Sequence, residues 1–319
     1  MAAWAASFCA ARGGLSVTLS AFHPARILVD GLYFRAIRSM PALAPAMGRA
    51  VAMGGMAAAP AWRRILRQNA RLALGAIATE SEVCAVAADM ALNMQRSIAD
   101  ILLSEGISAD VLAARVSRFS GQQEYHAARD HSRGRGLVVA SAHMGAFEPS
   151  IALLRKFEPR IHVLFHPDPM PRFERARSAL RQSLGVIEHA VSDGVSAWAA
   201  LQDALRSNEV VVLHADRVMP MQQGSRIPFL GAEDTVLPTG AVRLALTCGS
   251  PIVPTFCYRH GEELEVEMMA PIYCEVESLR SAEVASHPAQ RALVSALETA
   301  IRRHPAQWMA FMQIRDGGA

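Results

Sequence analysis

The sequence predicts an α/β protein: a central, largely parallel sheet flanked by helices, preceded by a helical, membrane-proximal region. Three observations carry this reading. After Gly136, short unbroken apolar runs alternate with helical segments, and unbroken rather than alternating runs mark strands buried on both faces. Before residue 128 the texture is Ala- and Arg-rich with a helical period. A chain of 319 residues, 51% hydrophobic and 19% charged, is also long enough to bury a substantial core.

Taken in order, Pro60 opens a helix in which Trp62, Ile65, Leu66, Ala70, Ala73 and Leu74 share one face and Arg63, Arg64, Arg67 and Arg71 another. Such a helix lies either on anionic lipid or with its apolar face on the protein core. The surroundings favour lipid, because residues 1–62 are apolar, rich in Ala and Met, and contain a single acid, Asp30. Helical patterns continue through Glu80–Leu103 and Ser108–Phe119, and a polar segment, Gln122–Arg135, reads as a linker. Leu137–Ala142, Ile161–Phe165, Val210–His214 and Ile252–Tyr258 read as strands, and the alternation at Leu264–Met268 as an edge strand. Pro171–Leu184, Val195–Ser207 and Thr239–Cys248 read as helices, and Ala282–Arg303 as the last one. Residues 1–128 are thus assigned to the membrane-proximal region and 129–319 to one continuous catalytic core.

The net charge of +3 is unevenly spread. Residues 1–79 hold nine arginines against Asp30, which leaves the remainder at −5. Nucleic-acid binding is disfavoured, since no basic stripe is interleaved with aromatics. The five cysteines, Cys9, Cys84, Cys248, Cys257 and Cys274, form no C-x-x-C pair, which fits a reducing compartment and neither a disulfide framework nor a zinc knuckle. The longest uncharged run, Leu244–Tyr258, has 15 residues with two prolines, and the apolar stretch Met1–Ala11 stops at Arg12; neither spans a bilayer. The expectation is a cytoplasmic protein in contact with a membrane surface. His126 and His131, with Glu124 and Asp130, match no helical zinc spacing and read as solvated; no metal site is expected. The arginines of 172–181 read as a solvated helix face in preference to a phosphate- or carrier-binding patch, and Trp308 and Met309 as core.

The chemistry-bearing segment is Ser141-Ala142-His143-Met144-Gly145-Ala146-Phe147-Glu148. A His leaving the carboxyl end of a strand and a Glu opening the next helix both face the crevice where open α/β sheets bind ligands. The spacing suggests a His–carboxylate pair in which Glu148 steadies the imidazole and His143 takes a proton from a hydroxyl. Read on spacing alone, a local hydrogen bond and helix cap serves as well.

Downstream stand His214-Ala215-Asp216-Arg217, then Gly224, Pro228-Phe229-Leu230-Gly231, Thr239-Gly240 with Arg243, and Gly249-Ser250-Pro251. In this order, from about Ala61 to Trp308, the blocks resemble the bacterial lipid A biosynthesis lauroyl/myristoyl acyltransferases of the lysophospholipid acyltransferase superfamily. The resemblance implies an enzyme of the inner membrane's cytoplasmic face, peripherally attached. It would move a fatty acyl group from acyl carrier protein or acyl-CoA, as co-substrate and with no other cofactor, to a lipid hydroxyl. Carried over by position, His143 and Glu148 are the H-x4-E pair; Arg217, beside Asp216 in the substrate-binding segment, and Arg243 meet substrate phosphates; Gly224, Phe229, Gly231, Thr239 and Gly240 shape the pocket. Family members commonly have a polar residue and Trp where this chain has Ala146 and Phe147, and Gln where it has Arg217, which leaves the acceptor open. No GxSxG elbow is present, so direct attack by the acceptor hydroxyl is the consistent mechanism. A non-catalytic lipid- or carrier-binding homologue and a hydrolase using the same pair remain the alternatives.

Overall fold

A computed structural model describes residues 24–314 apart from 169, 220, 221 and 223. The stretch Met1–Ala11 with Cys9, and Arg12, lie outside the described residues. The described chain begins with helices α1 (Pro24–Ser39), α2 (Ala44–Ala58), α3 (Pro60–Leu74), α4 (Glu80–Leu103) and α5 (Ala109–Ala114). Strand β1 (Val116–Ser120) and helix α6 (Gln122–Ser132) follow, then β2 (Leu137–Ser141), α7 (Phe147–Leu154), β3 (Ile161–Phe165), α8 (Pro171–Ser183) and β4 (Val186–Ala190). The remainder is α9 (Val195–Arg206), β5 (Val210–His214), β6 (Gly224–Arg226), β7 (Val236–Pro238), α10 (Gly240–Cys248), β8 (Ile252–His260), β9 (Glu263–Met268), α11 (Ser281–Ser286) and α12 (Pro288–Arg303).

Seven strands form the sheet in the order β1-β9-β8-β2-β5-β3-β4. The block from β8 to β4 is parallel, whereas β9 runs antiparallel to β8 and carries β1 alongside it in its own direction. Strand β2 is buried at every position and β5 at all but its last, as expected of central strands covered on both faces. Helices α9 and α10 pack on each other and on the central strands. Helix α4 is gripped by α1, α2, α3 and α8, and α12 bridges α3 and β8. One apolar core runs through all these layers, from Phe34 to Ile314.

Several elements differ from the sequence expectation. The segment Ser108–Phe119 is a short helix followed by β1, because Val116 and Phe119 complete the sheet beside β9. That pairing also makes β9 an interior strand. The polar linker is helix α6, with Tyr125 and Ala128 buried against the sheet. Strand β4, at the far edge, has only one buried residue and gave no apolar run to read. The last helix breaks at His287, extended at ψ 144° before Pro288, as the residue preceding a proline prefers.

Helix α3 is the main correction. Its apolar face, with Trp62, Ile65, Leu66, Ala70 and Ala73, is buried in the protein core and not presented to lipid. Its arginines are largely engaged: Arg67 and Arg71 both bind Glu80, and Arg63 donates to the Met56 carbonyl at 3.1 Å. No helix among the described residues is long and apolar enough to cross a membrane.

Candidate active site

Adjacent strands β2 and β5 are parallel and in register, with Ser141 opposite His214. His143 and Asp216 each lie two residues beyond those partners, so the topology brings them together. His143 Nδ1 stands 2.7 Å from Asp216 Oδ1. The second oxygen, Oδ2, accepts a hydrogen bond from the Trp308 indole N–H at 2.9 Å, and Phe229 meets Trp308 edge to face, with 6.0 Å between ring centres. The Met309 N–H donates to the His143 carbonyl at 2.8 Å. Gly145, at φ 57°, turns the chain toward α7; a Cβ there would collide with the Cys257 carbonyl oxygen.

These contacts determine the imidazole's state. Asp216 is fully buried, and burial alone would raise its pKa. The facing His143 and Arg217 outweigh that and hold the carboxyl well below its ordinary range. An ionised carboxylate only accepts, so Nδ1 carries the proton and Nε2 presents a lone pair. Burial, then the Arg217 guanidinium, push the His143 imidazole below its ordinary value against the opposing pull of Asp216. The ring is a quarter exposed, so the lone pair can meet a ligand. His214 stacks on it, with ring centres 4.0 Å apart and 18° between planes, and Phe147 packs on His214 in turn. Burial, and next the neighbouring His143, keep His214 well below its ordinary pKa and therefore uncharged.

His143 opens onto a cavity of about 410 Å³. Its apolar walls come from α4 (Met94, Ile98, Ile101), β3 (Val163, Leu164, Phe165), α8 (Phe173) and the tail (Met309, Phe311, Met312). Glu148, Arg177, Arg181 and Arg217 add charge. Burial raises the Glu148 pKa, and Arg177 and Arg181 partly offset it. Arg217 donates to the Met309 carbonyl and lies 5.8 Å from the centre of the Phe311 ring.

Of the residues singled out from sequence, His143, Glu148 and Arg217 line this cavity and Asp216 lies directly behind it. The expected partner of the imidazole differs: the carboxylate on Nδ1 is Asp216, because strand register, unlike sequence spacing, puts it there, while Glu148 shares the cavity. Phe229 supports Trp308 from behind. Gly224, Gly231, Thr239, Gly240 and Arg243 are not on the cavity wall. Gly224 sits in β6 against Val218 and Val236, and Gly240 leaves room for the Trp198 ring. Gly231 turns at φ 83°, buried Thr239 precedes α10, and Arg243 is exposed on α10. Trp308 and Met309 were read as packing, yet one anchors Asp216 and the other lines the cavity. Their sequence signal was a place at the end of the resembling stretch, which runs to Trp308 but gives neither residue a role.

A family model described as bacterial lipid A biosynthesis acyltransferase matches residues 25–314. The chain belongs to this family. The chain is 28% identical over 177 residues to a phosphatidylinositol mannoside acyltransferase of Mycobacterium tuberculosis strain H37Rv, covering 55% of this chain and 53% of that one. A phosphatidylinositol mannoside acyltransferase of Mycolicibacterium smegmatis is 26% identical over the same length, 55% of each chain. The chain thus spans about half the length of the curated relatives it matches.

Proposed function

We propose that the protein is a membrane-associated O-acyltransferase that moves a fatty acyl chain from acyl carrier protein or acyl-CoA to a hydroxyl of a lipid. The observation that carries this reading is an imidazole fixed on a buried carboxylate at the head of a largely apolar cavity. Nε2 of His143 takes the proton of the acceptor hydroxyl as its oxygen attacks the thioester carbonyl. Asp216 keeps the proton on Nδ1 and stabilises the imidazolium as it forms. The tetrahedral intermediate collapses with cleavage of the C–S bond. The thiolate leaves with the proton held at Nε2, and the ester is the second product. The apolar walls receive the acyl chain, and Arg217 supplies positive charge for phosphate or oxyanion, whereas Arg177 and Arg181 are held in ion pairs with Glu174 and Glu188. Glu148 is assigned to orienting the acceptor hydroxyl from the same cavity. Placement at the cytoplasmic face of the bacterial inner membrane follows from a cytosolic donor and a lipid acceptor.

The test measures thiol release and free fatty acid separately, from acyl carrier protein and CoA thioesters, with lipid A precursor, phosphatidylinositol mannoside or a whole lipid extract as acceptor. Thiol released in proportion to a newly acylated lipid is the expected result. Thiol matched by free fatty acid whatever the acceptor would make the protein a hydrolase, and no release from folded protein would remove the enzyme reading.

A further inference from the structure

Helix α8 carries arginines on two faces. Phe173, Arg177 and Arg181, at i, i+4 and i+8, face the catalytic cavity. Arg172, Arg175, Ala179 and Gln182 line a separate cleft of about 590 Å³, whose opposite wall is α1 with Phe34, Arg35 and Arg38. Arg38 is paired with Glu105, the one acidic side chain lining this cleft. Arg35, Arg172 and Arg175 are exposed and make no ion pair with any described residue. The missing Cβ of Gly31 lets the Arg172 guanidinium lie directly on α1. Under this cationic rim the floor is apolar, formed by buried Phe34, Leu102 and Ala176. A second observation concerns the neighbouring surface. Leu32, one helical turn before Arg35, is 60% exposed, and Met40 and Leu43, which directly follow α1 in the chain, are exposed as well. Large apolar side chains beside arginines suit the headgroup boundary of a bilayer better than open water.

We propose that the α1–α8 cleft binds the phosphate of an anionic membrane phospholipid, its guanidinium groups forking the phosphate oxygens while Leu32, Met40 and Leu43 enter the headgroup layer. The choice of a lipid rests on the membrane-associated reading above; the cleft itself does not depend on turnover. Because α8 walls both the cleft and the catalytic cavity, an occupied cleft sets the catalytic cavity against the membrane.

The experiment measures sedimentation of the full chain with vesicles of phosphatidylcholine alone or mixed with phosphatidylglycerol, with no acyl donor present. Arg35→Gln/Arg172→Gln/Arg175→Gln should weaken binding to the anionic vesicles about a hundredfold, at roughly fivefold per basic residue near a charged surface. Two variants separate a built site from loose surface charge, with thermal midpoints checked on the same preparations. Arg35→Lys/Arg172→Lys/Arg175→Lys keeps the charge but loses the fork, and Ala179→Trp fills the cleft. Both should weaken anionic binding about tenfold or more. Wild-type binding by these two would overturn the proposal, leaving only diffuse attraction. Inorganic phosphate bound by the vesicle-free protein in a way that Arg35→Gln/Arg172→Gln/Arg175→Gln abolishes, with vesicle sedimentation left unchanged by the same substitutions, would also overturn it in favour of a small phosphate ligand. Lipid binding that depends on the cleft, in a protein that turns nothing over, would uphold this proposal and defeat the enzymatic one.

Discussion

At the scale of single residues, the arrangement ranks two carboxylates that the sequence could not rank. Asp216→Asn leaves a side chain able to hydrogen-bond His143 but unable to stabilise its cation or select its tautomer, and should lower turnover about 10³–10⁴-fold. Glu148→Gln should cost less than Asp216→Asn; the reverse order, measured with matched thermal midpoints, would restore Glu148 as the partner of the imidazole. His143→Ala should lose about 10²–10⁴ in turnover. The acid limb of kcat/KM carries a sign. The base works unprotonated and its pKa is pushed down, so activity should persist at pH 6.5 and fall only as pH drops through that lowered value. In Asp216→Asn the limb should move lower still, since the carboxylate was pulling the imidazole up. His143 was legible because a His after an apolar strand is conspicuous. Asp216 was visible in the same way, but its role was not, since that depends on β5 lying next to β2 with two other strands between them in sequence.

Elements show where periodicity is ambiguous. An amphipathic helix with a basic face looks the same on lipid and on a protein core, and α3 turned out to be of the second kind. Three of its arginines, Arg63, Arg67 and Arg71, are satisfied by the Met56 carbonyl and Glu80, a pairing that no helical spacing announces. Trp62→Ala should therefore destabilise the fold by about 3–5 kcal/mol, read as a drop in denaturation midpoint. Arg63→Gln/Arg64→Gln should leave vesicle binding nearly unchanged. A large loss of binding from the arginine pair, with stability intact, would return α3 to the membrane. The apolar strands β2, β3, β5 and β8 were readable because burial of most of their residues leaves unbroken runs. Edge strands β1 and β4, five residues long like β2, were not, because weaker cover leaves them mixed polar and apolar sequences.

For the whole molecule, the described core does not divide at residue 128. Strand β1 closes the sheet beyond β9, and α4 supplies Met94, Ile98 and Ile101 to the catalytic cavity. A fragment of residues 129–319 is expected to lack a cooperative melting transition; a sharp one near that of the full chain would show an independent core. The tail matters as much as the head. Asn69 of α3 donates to the Ala310 and Met312 carbonyls at 2.8 Å each, just past the Trp308 that anchors Asp216. This stitching has a consequence in the order of synthesis. When the ribosome has made His143 and Asp216, the indole that completes the pair is still more than ninety residues away, so the base stays unlocked until residue 308 has emerged. A chain cut just before Trp308 also loses the Met309, Phe311 and Met312 wall of the cavity, so it should hold neither the fixed imidazole nor an acyl chain until those residues are made.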